Sequence, residues 1–98
     1  MKEIIKKNKL KNNGYRFLSK VFSDEIYVVF IDNKYIAISG FCPHFGGPLV
    51  LNENNEFHCY WHDWKFDVVE FKCINNNYKR SLKRYKVIEL SDSLEVYL

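Results

Sequence analysis

The chain has 98 residues, enough for a single domain over residues 1–98 and too few for a second substrate-binding unit. Apolar residues make up 47% and charged residues 28%, which excludes a disordered or fibrous chain, and no uncharged apolar run approaches the ~18 residues of a membrane-crossing helix. The net charge of +3 is divided, with residues 1–20 carrying +6, residues 21–71 carrying −6 and residues 72–98 carrying +3.

Aromatic residues reach 17%, with one Met, a composition that favours strands over helices. The basic run Lys6-Lys7-Asn8-Lys9-Leu10-Lys11 reads as a solvated strand edge or arm, where lysines discourage edge-to-edge pairing. A phosphate contact is the competing reading, but no nucleic-acid-binding motif accompanies the run, so nucleic acid is disfavoured as a partner. Residues 15–19, 26–31 and 35–39 read as strands, the last two joined by a tight turn at Asp32-Asn33-Lys34. Residues 40–53 carry two adjacent glycines and a proline without any period, and read as a loop. Shorter strands are expected at 56–60 and 65–69. Residues 85–90 and 94–98 form a closing hairpin around Ser91-Asp92-Ser93, with Leu94, Val96 and Leu98 alternating with Glu95 and Tyr97. Asn clusters fall at the expected turns. No segment shows a 3.6-residue apolar stripe, so the expected fold class is all-β, a small antiparallel β sandwich or barrel.

The N-terminus lacks the apolar segment of a secretion signal, so a cytoplasmic location is the expectation. Three cysteines are too few for a disulfide scaffold and point to metal ligation or buried thiols. Two of them stand in Cys42-Pro43-His44-Phe45-Gly46-Gly47-Pro48-Leu49 and Cys59-Tyr60-Trp61-His62-Asp63-Trp64-Lys65-Phe66. The pattern is C-x-H followed by C-x-x-H, so each short loop offers one thiolate and one imidazole, and closing the loops together makes a four-ligand site. Zinc accepts Cys₂His₂ tetrahedrally, and a [2Fe–2S] cluster accepts it with two Cys on one iron and two His on the other. Zinc fingers group like ligands together near a helix. Here each pair is mixed and no helix follows, which favours iron–sulfur.

These residues resemble the Rieske-type ferredoxins, electron carriers related to the Rieske domains of ring-hydroxylating oxygenases. Such sequences carry C-P-H-x-G-x-x-L and C-P-W-H-G-W-x-F, and the chain keeps all but two of the marked positions. The resemblance extends through the hairpin at residues 32–39 and the closing hairpin, covering most of residues 26–98. It implies a Rieske-like fold with two cluster-binding loops holding one [2Fe–2S] cluster, Cys42 and Cys59 on the inner iron and His44 and His62 on the outer. It also implies one-electron transfer rather than catalysis, from a flavin-dependent reductase to an oxygenase or related oxidoreductase. A second expectation is a small Rieske subunit of a larger reductase, such as a nitrite reductase. A third, of another class, is a zinc-stabilised binding module using its basic ends.

The departures are Tyr60, where Pro is usual, and Asp63, where Gly is usual. Gly at that place implies either an awkward backbone angle or close approach to the cluster; Asp is among the better substitutes at positive φ. A carboxylate beside His62 opposes the extra electron. The chain also lacks the loop cysteines and cluster-bonding Ser of respiratory Rieske proteins, with Gly47, Trp61 and Trp64 at those places. Both features predict a potential near the low end of the Rieske span, about −150 mV. Gly46, Gly47 and Pro48 read as loop-shaping residues, and Cys73 as a small structural side chain. His58 should point away from Cys59 on a strand and is left out of the site. Trp61 and Trp64 are expected to pack in the core rather than serve a redox role. The acidic middle, through Glu53 and Glu56, is expected to dock a basic patch on a redox partner.

Overall fold

Strand-forming side chains dominate the computed structural model, which describes residues 1–11, 14–43, 46–76 and 81–98. Among them lie nine strands and one short 3-10 turn, with no α-helix. Backbone contacts divide the chain into two units, Met1–Ser39 with Arg84–Leu98, and Gly40–Lys83.

The first unit is a six-stranded antiparallel sheet, strongly curled toward a barrel, in the order β1-β9-β8-β4-β3-β2. Its strands are β1 (Lys2–Lys6), β2 (Tyr15–Ser19), β3 (Asp24–Ile31), β4 (Lys34–Ser39), β8 (Arg84–Glu89) and β9 (Ser93–Tyr97). The β3–β4 turn is tighter than expected, because Lys34 already pairs with Ile31. Asp32 and Asn33 supply the two positive φ angles, 51° and 63°, that a two-residue turn requires to match the strands' twist. Ile26, Val28, Ala37, Tyr85, Leu94 and Val96 are buried together with Ile5. Each of the larger aliphatic side chains contributes about 1.5–3 kcal/mol by leaving water.

The N-terminal segment forms an edge strand of the sheet, paired along its whole length with β9 from Lys2↔Tyr97 to Lys6↔Ser93, and the basic run over residues 6–11, expected as a solvated strand edge or arm, begins at its last residue. Its lysines meet the acidic residues of the closing hairpin: Lys2 Nζ lies 2.8 Å from Glu95 and Lys7 Nζ 2.6 Å from Glu89. Within the basic run, Lys6 and Lys7 are thus paired inside the chain, with Asp92 and Glu89.

Strands β4 and β8 are neighbours through Ala37↔Tyr85 and Ile38↔Arg84. The residues that precede and follow Gly40–Lys83 thus leave from adjacent strands. Tyr85 Oη donates to Asp24 Oδ2 at 2.6 Å and Ser39 Oγ donates to Asp24 Oδ1 at 3.0 Å, so one carboxylate ties these two stems to β3.

The second unit holds a three-stranded antiparallel sheet, β5 (Leu49–Leu51), β6 (Phe57–Cys59) and β7 (Trp64–Phe66), in the order β5-β6-β7. Strand β5 corrects the expectation of an unbroken loop over 40–53. Leu49-Val50-Leu51 was hidden by the glycines before it, and it pairs with Phe57–Cys59 through Leu49↔Cys59 and Leu51↔Phe57. Leu49, Phe57, Cys59 and Phe66 are fully buried. The expected strand at 65–69 stops at Phe66, since Asp67 turns the chain by accepting the backbone N–H groups of Val69 and Glu70 on its Oδ1.

Candidate metal centre

The first candidate loop is closed by its own backbone. Phe41 bridges Pro48, Cys42 N–H donates to the Gly47 carbonyl at 2.7 Å, and Gly46 N–H donates to the Cys42 carbonyl at 2.8 Å. Gly46 adopts φ +77°, a left-handed angle that most side chains resist. Cys42 is 2% exposed, so the thiol is presented from inside this turn. His44 and Phe45 lie outside the described residues.

The second loop is the connection of the β6–β7 hairpin. Cys59 ends β6, pairs with Leu49 on one side and Trp64 on the other, and is fully buried. Residues 60–63 make the turn, and His62 within it is exposed. The two thiols are thus buried and the imidazole of His62 is exposed.

The two loops meet at Gly47. A Cβ placed there would lie 2.9 Å from Cys59 Sγ and 2.9 Å from Trp61 Cγ, closer than real contacts allow. Bare backbone of the first loop is therefore pressed against the second loop's sulfur. Because Pro48 is followed by Leu49, the residue opposite Cys59, the same sheet register places both loops. None of the three cysteines forms a disulfide. Among the described residues no group of three or more His, Cys, Asp or Glu side chains is close enough to hold one metal ion. The structure thus brings the first loop to Cys59, while the fourth candidate ligand, His44, falls outside the description. Two buried thiols and an exposed imidazole, in loops already folded together, suit a [2Fe–2S] cluster in donor type.

Asp63 has φ +57°, so the family's glycine place does require the awkward backbone angle, and Asp meets it. Its carboxylate is taken by His58, whose Nε2 lies 2.5 Å from Asp63 Oδ1. Sequence reasoning set His58 aside because it faces away from Cys59. It does so, and in facing away it reaches the outside of the same loop; the alternation of side chains gave that direction, but not what stood there. The His58 ring also packs on Tyr60, with centroids 4.8 Å apart. Asn75 joins from beyond the sheet, its Nδ2 donating to the Asp63 carbonyl at 2.8 Å and its Oδ1 accepting Lys65 N–H at 3.0 Å.

Trp61 corrects another expectation, being 63% exposed rather than packed in the core. It sits in the four-residue turn between β6 and β7, with its Cγ and Cδ2 atoms toward Gly47. Trp64, on β7, is half-buried. Cys73 is half-buried beside Phe66 and donates weakly to Asn75 Oδ1 at 3.6 Å, in keeping with a structural role.

The Rieske [2Fe-2S] domain family model matches residues 1–86. No curated protein sequence matches the chain. Among solved structures, the ferredoxin of carbazole 1,9a-dioxygenase from Nocardioides aromaticivorans IC177 is similar with a TM-score of 0.77 at 22% identity, over 96% of this chain and 93% of that one. A carbazole-bound oxygenase and ferredoxin complex of carbazole 1,9a-dioxygenase matches with a TM-score of 0.73 at 21% identity, over 99% of this chain and 28% of that one. A putative NADPH nitrite reductase small subunit matches with a TM-score of 0.73 at 15% identity, over 100% of this chain and 99% of that one. These likenesses are of fold. The family match spans both candidate loops, and the chain accordingly belongs to the Rieske [2Fe–2S] domain family, whose domain carries one Rieske-type [2Fe–2S] cluster.

Proposed function

We propose that residues 1–98 act as a single Rieske domain, a soluble cytoplasmic one-electron carrier in which Cys42 and Cys59 hold one iron of the cluster and His44 and His62 the other. The observation that carries this reading is the convergence at Gly47. Unsubstituted backbone lies against the buried Cys59 sulfur, in a loop whose own Cys42 is buried, while His62 stands exposed on the turn. When bound, a cluster with all its iron ligated by protein supplies electron transfer and leaves no open position for substrate. The chain's part is to keep the thiols dry, to offer imidazole at the surface and to present a docking face around it. Membership of the Rieske family sets aside the zinc-stabilised binding module.

The electron would come from a flavin-dependent reductase and pass to an oxygenase. The oxygenase as acceptor is supported by the fold shared with the ferredoxin of carbazole 1,9a-dioxygenase. A second reading, the small subunit of a larger reductase, is favoured by the end-to-end match to a putative nitrite reductase small subunit. For docking, the structure narrows the acidic candidates. Glu56 is tied to Asn52 at 3.1 Å, whereas Glu53 is exposed at the tip of the same turn.

The test is iron and acid-labile sulfide content, with visible and electron paramagnetic resonance spectra of anaerobically purified protein before and after dithionite. Two irons, two sulfides and a reducible Rieske-type signal are expected. A colourless protein with one zinc would overturn the carrier. Tight co-purification with a large partner would select the subunit reading.

A further inference from the structure

The two positions at which the second loop departs from the family pattern are not independent. Tyr60 replaces a proline, which would have stiffened the turn, and Asp63 replaces a glycine, which would have adopted φ +57° without cost. Both side chains converge on one residue outside the motif. The His58 imidazole lies 2.5 Å from the Asp63 carboxylate through Nε2 and 4.8 Å, centroid to centroid, from the Tyr60 ring. His58 itself is rigidly placed: it sits in mid-strand on β6, paired with Val50 and Lys65, and its side chain is 17% exposed. Asn75 fastens the Asp63 backbone from the other side.

We propose that His58, Tyr60 and Asp63 form a clasp across the base of the 60–63 turn that replaces the missing proline and glycine, with His58 the positioning residue that fixes the turn carrying His62. This rests on the reading of Cys59 and His62 as cluster ligands. Four residues separate β6 from β7, and His62 is exposed within them. The clasp closes between the residue before Cys59 and the residue after His62, so it spans both proposed ligands of this loop. It grips the turn by its two flanks on the face opposite the Cys59 thiol, where it constrains the backbone without competing for the ligand atoms. The Asp63 carboxylate is accordingly committed to His58 and braces the loop.

The test uses the purified holoprotein and His58→Ala, His58→Gln, Asp63→Gly and the His58→Ala/Asp63→Gly double variant. The readouts are the rate of cluster bleaching by a chelator and the width of the electron paramagnetic resonance lines. His58→Ala and Asp63→Gly are each expected to bleach about tenfold faster than the parent with broadened lines, as outer partners of metal ligands do when removed. The double variant should be no faster than the worse single, and His58→Gln, which can still donate to Asp63, should recover most of the loss. Single variants that match the parent would overturn the clasp, as would losses that multiply in the double variant. Asp63→Gly keeps the backbone conformation accessible and carries the test if His58→Ala does not fold. If the parent holds no two-iron cluster, the ligand reading fails separately. Amide exchange of residues 60–63 then decides the clasp: faster exchange in His58→Ala supports it, and unchanged exchange overturns it.

Discussion

Replacing Gly47 by alanine tests the convergence of the two loops with the smallest possible perturbation, one methyl group. The added Cβ would lie 2.9 Å from Cys59 Sγ, 2.9 Å from Trp61 Cγ and 3.0 Å from Trp61 Cδ2, against the 3.4 Å at which ordinary contact begins. The Trp61 ring, 63% exposed, has room to swing aside. The sulfur does not, since Cys59 is fully buried and paired to β5 and β7. The strain therefore falls on the thiol and on the backbone of residues 46–48, and overpacking of this kind costs about 1–3 kcal/mol. For a chain of this length that lowers the melting temperature by roughly 5–20 °C. If the whole strain acts on the ligand atom, it also weakens iron retention by roughly 5- to 150-fold. Both are measurable on one preparation, melting by far-UV circular dichroism and iron loss by visible absorbance under chelator. Gly46→Asn is the control, since nothing lies within 4 Å of its Cβ and Asn tolerates φ +77°; it should cost far less on both readouts. A Gly47→Ala protein that melts within about 2 °C of the parent and keeps iron equally well would refute the close approach of the loops.

Tyr85 is pushed well above the ordinary tyrosine value by burial and by the Asp24 carboxylate that accepts its hydrogen bond. A raised value means its stabilisation is complete below about pH 10, the unfolded value, and fades as the pH climbs toward the folded value. Tyr85→Phe should therefore be less stable at neutral pH by about 1.5–3 kcal/mol, the worth of a hydrogen bond to a charged group, and should lose less than the parent between pH 9 and 11.5 in denaturant titrations. At the acid end, partial burial raises Asp67, but the N–H groups of Glu70, Val69, Lys72 and Phe71 outweigh it and hold the carboxyl below its usual range. Its contribution is present above the unfolded value of about 4 and lost as the pH falls through the folded one, so Asp67→Asn should flatten the acid limb of stability against pH. Glu53→Lys should slow electron delivery from a reductase several-fold at low salt, the gap closing as salt screens the encounter; a gap independent of salt would remove the docking role. Cys73→Ser should leave iron content and spectra unchanged, because Cys73 sits beside Phe66 as a structural side chain.

The strands legible in the sequence were those whose side chains alternate or whose turns announce themselves. Residues 15–19 form β2 with the expected bounds, and β3, β4, β8 and β9 differ only at their ends, where hydrogen bonding outruns side-chain pattern. Strands β1 and β5 carry little pattern of their own, and pairing makes each a strand, with β9 at the far end of the chain for β1 and with the next strand, β6, for β5. Lys2–Lys6 shows no clean alternation until β9 pairs with it and Glu95 meets Lys2, and Leu49–Leu51 looks like the tail of a glycine loop until Phe57–Cys59 pairs with it. Of the site, the four candidate ligands stand out because chemistry restricts which residues bind iron. His58 does not stand out, because a positioning residue is defined by its neighbours and no spacing rule marks it.

The distribution of carboxylates bears on how such a carrier would recognise a partner. Residues 46–71 hold five carboxylates and a single lysine, which as a bare count suggests a strongly attractive acidic face. Most of that charge is committed: Glu56 to Asn52, Asp63 to His58, Asp67 to four backbone N–H groups, and Glu70 to Lys72 at 3.3 Å. A carboxylate holding its own turn in place still contributes to the long-range field that steers encounter, but it is poorly disposed to trade its partner for one on another protein. Steering and docking therefore separate. The acidic segment as a whole would set the salt dependence of association, while short-range selectivity would fall to Glu53 and to the exposed rings of Tyr60 and Trp61 beside His62. Tyr60 then serves on both faces of the loop, its ring packed on His58 within the clasp and half open to a docking protein. Substituting it should disturb cluster retention and partner affinity together, whereas Trp61, which lies outside the clasp, should affect affinity the more strongly of the two.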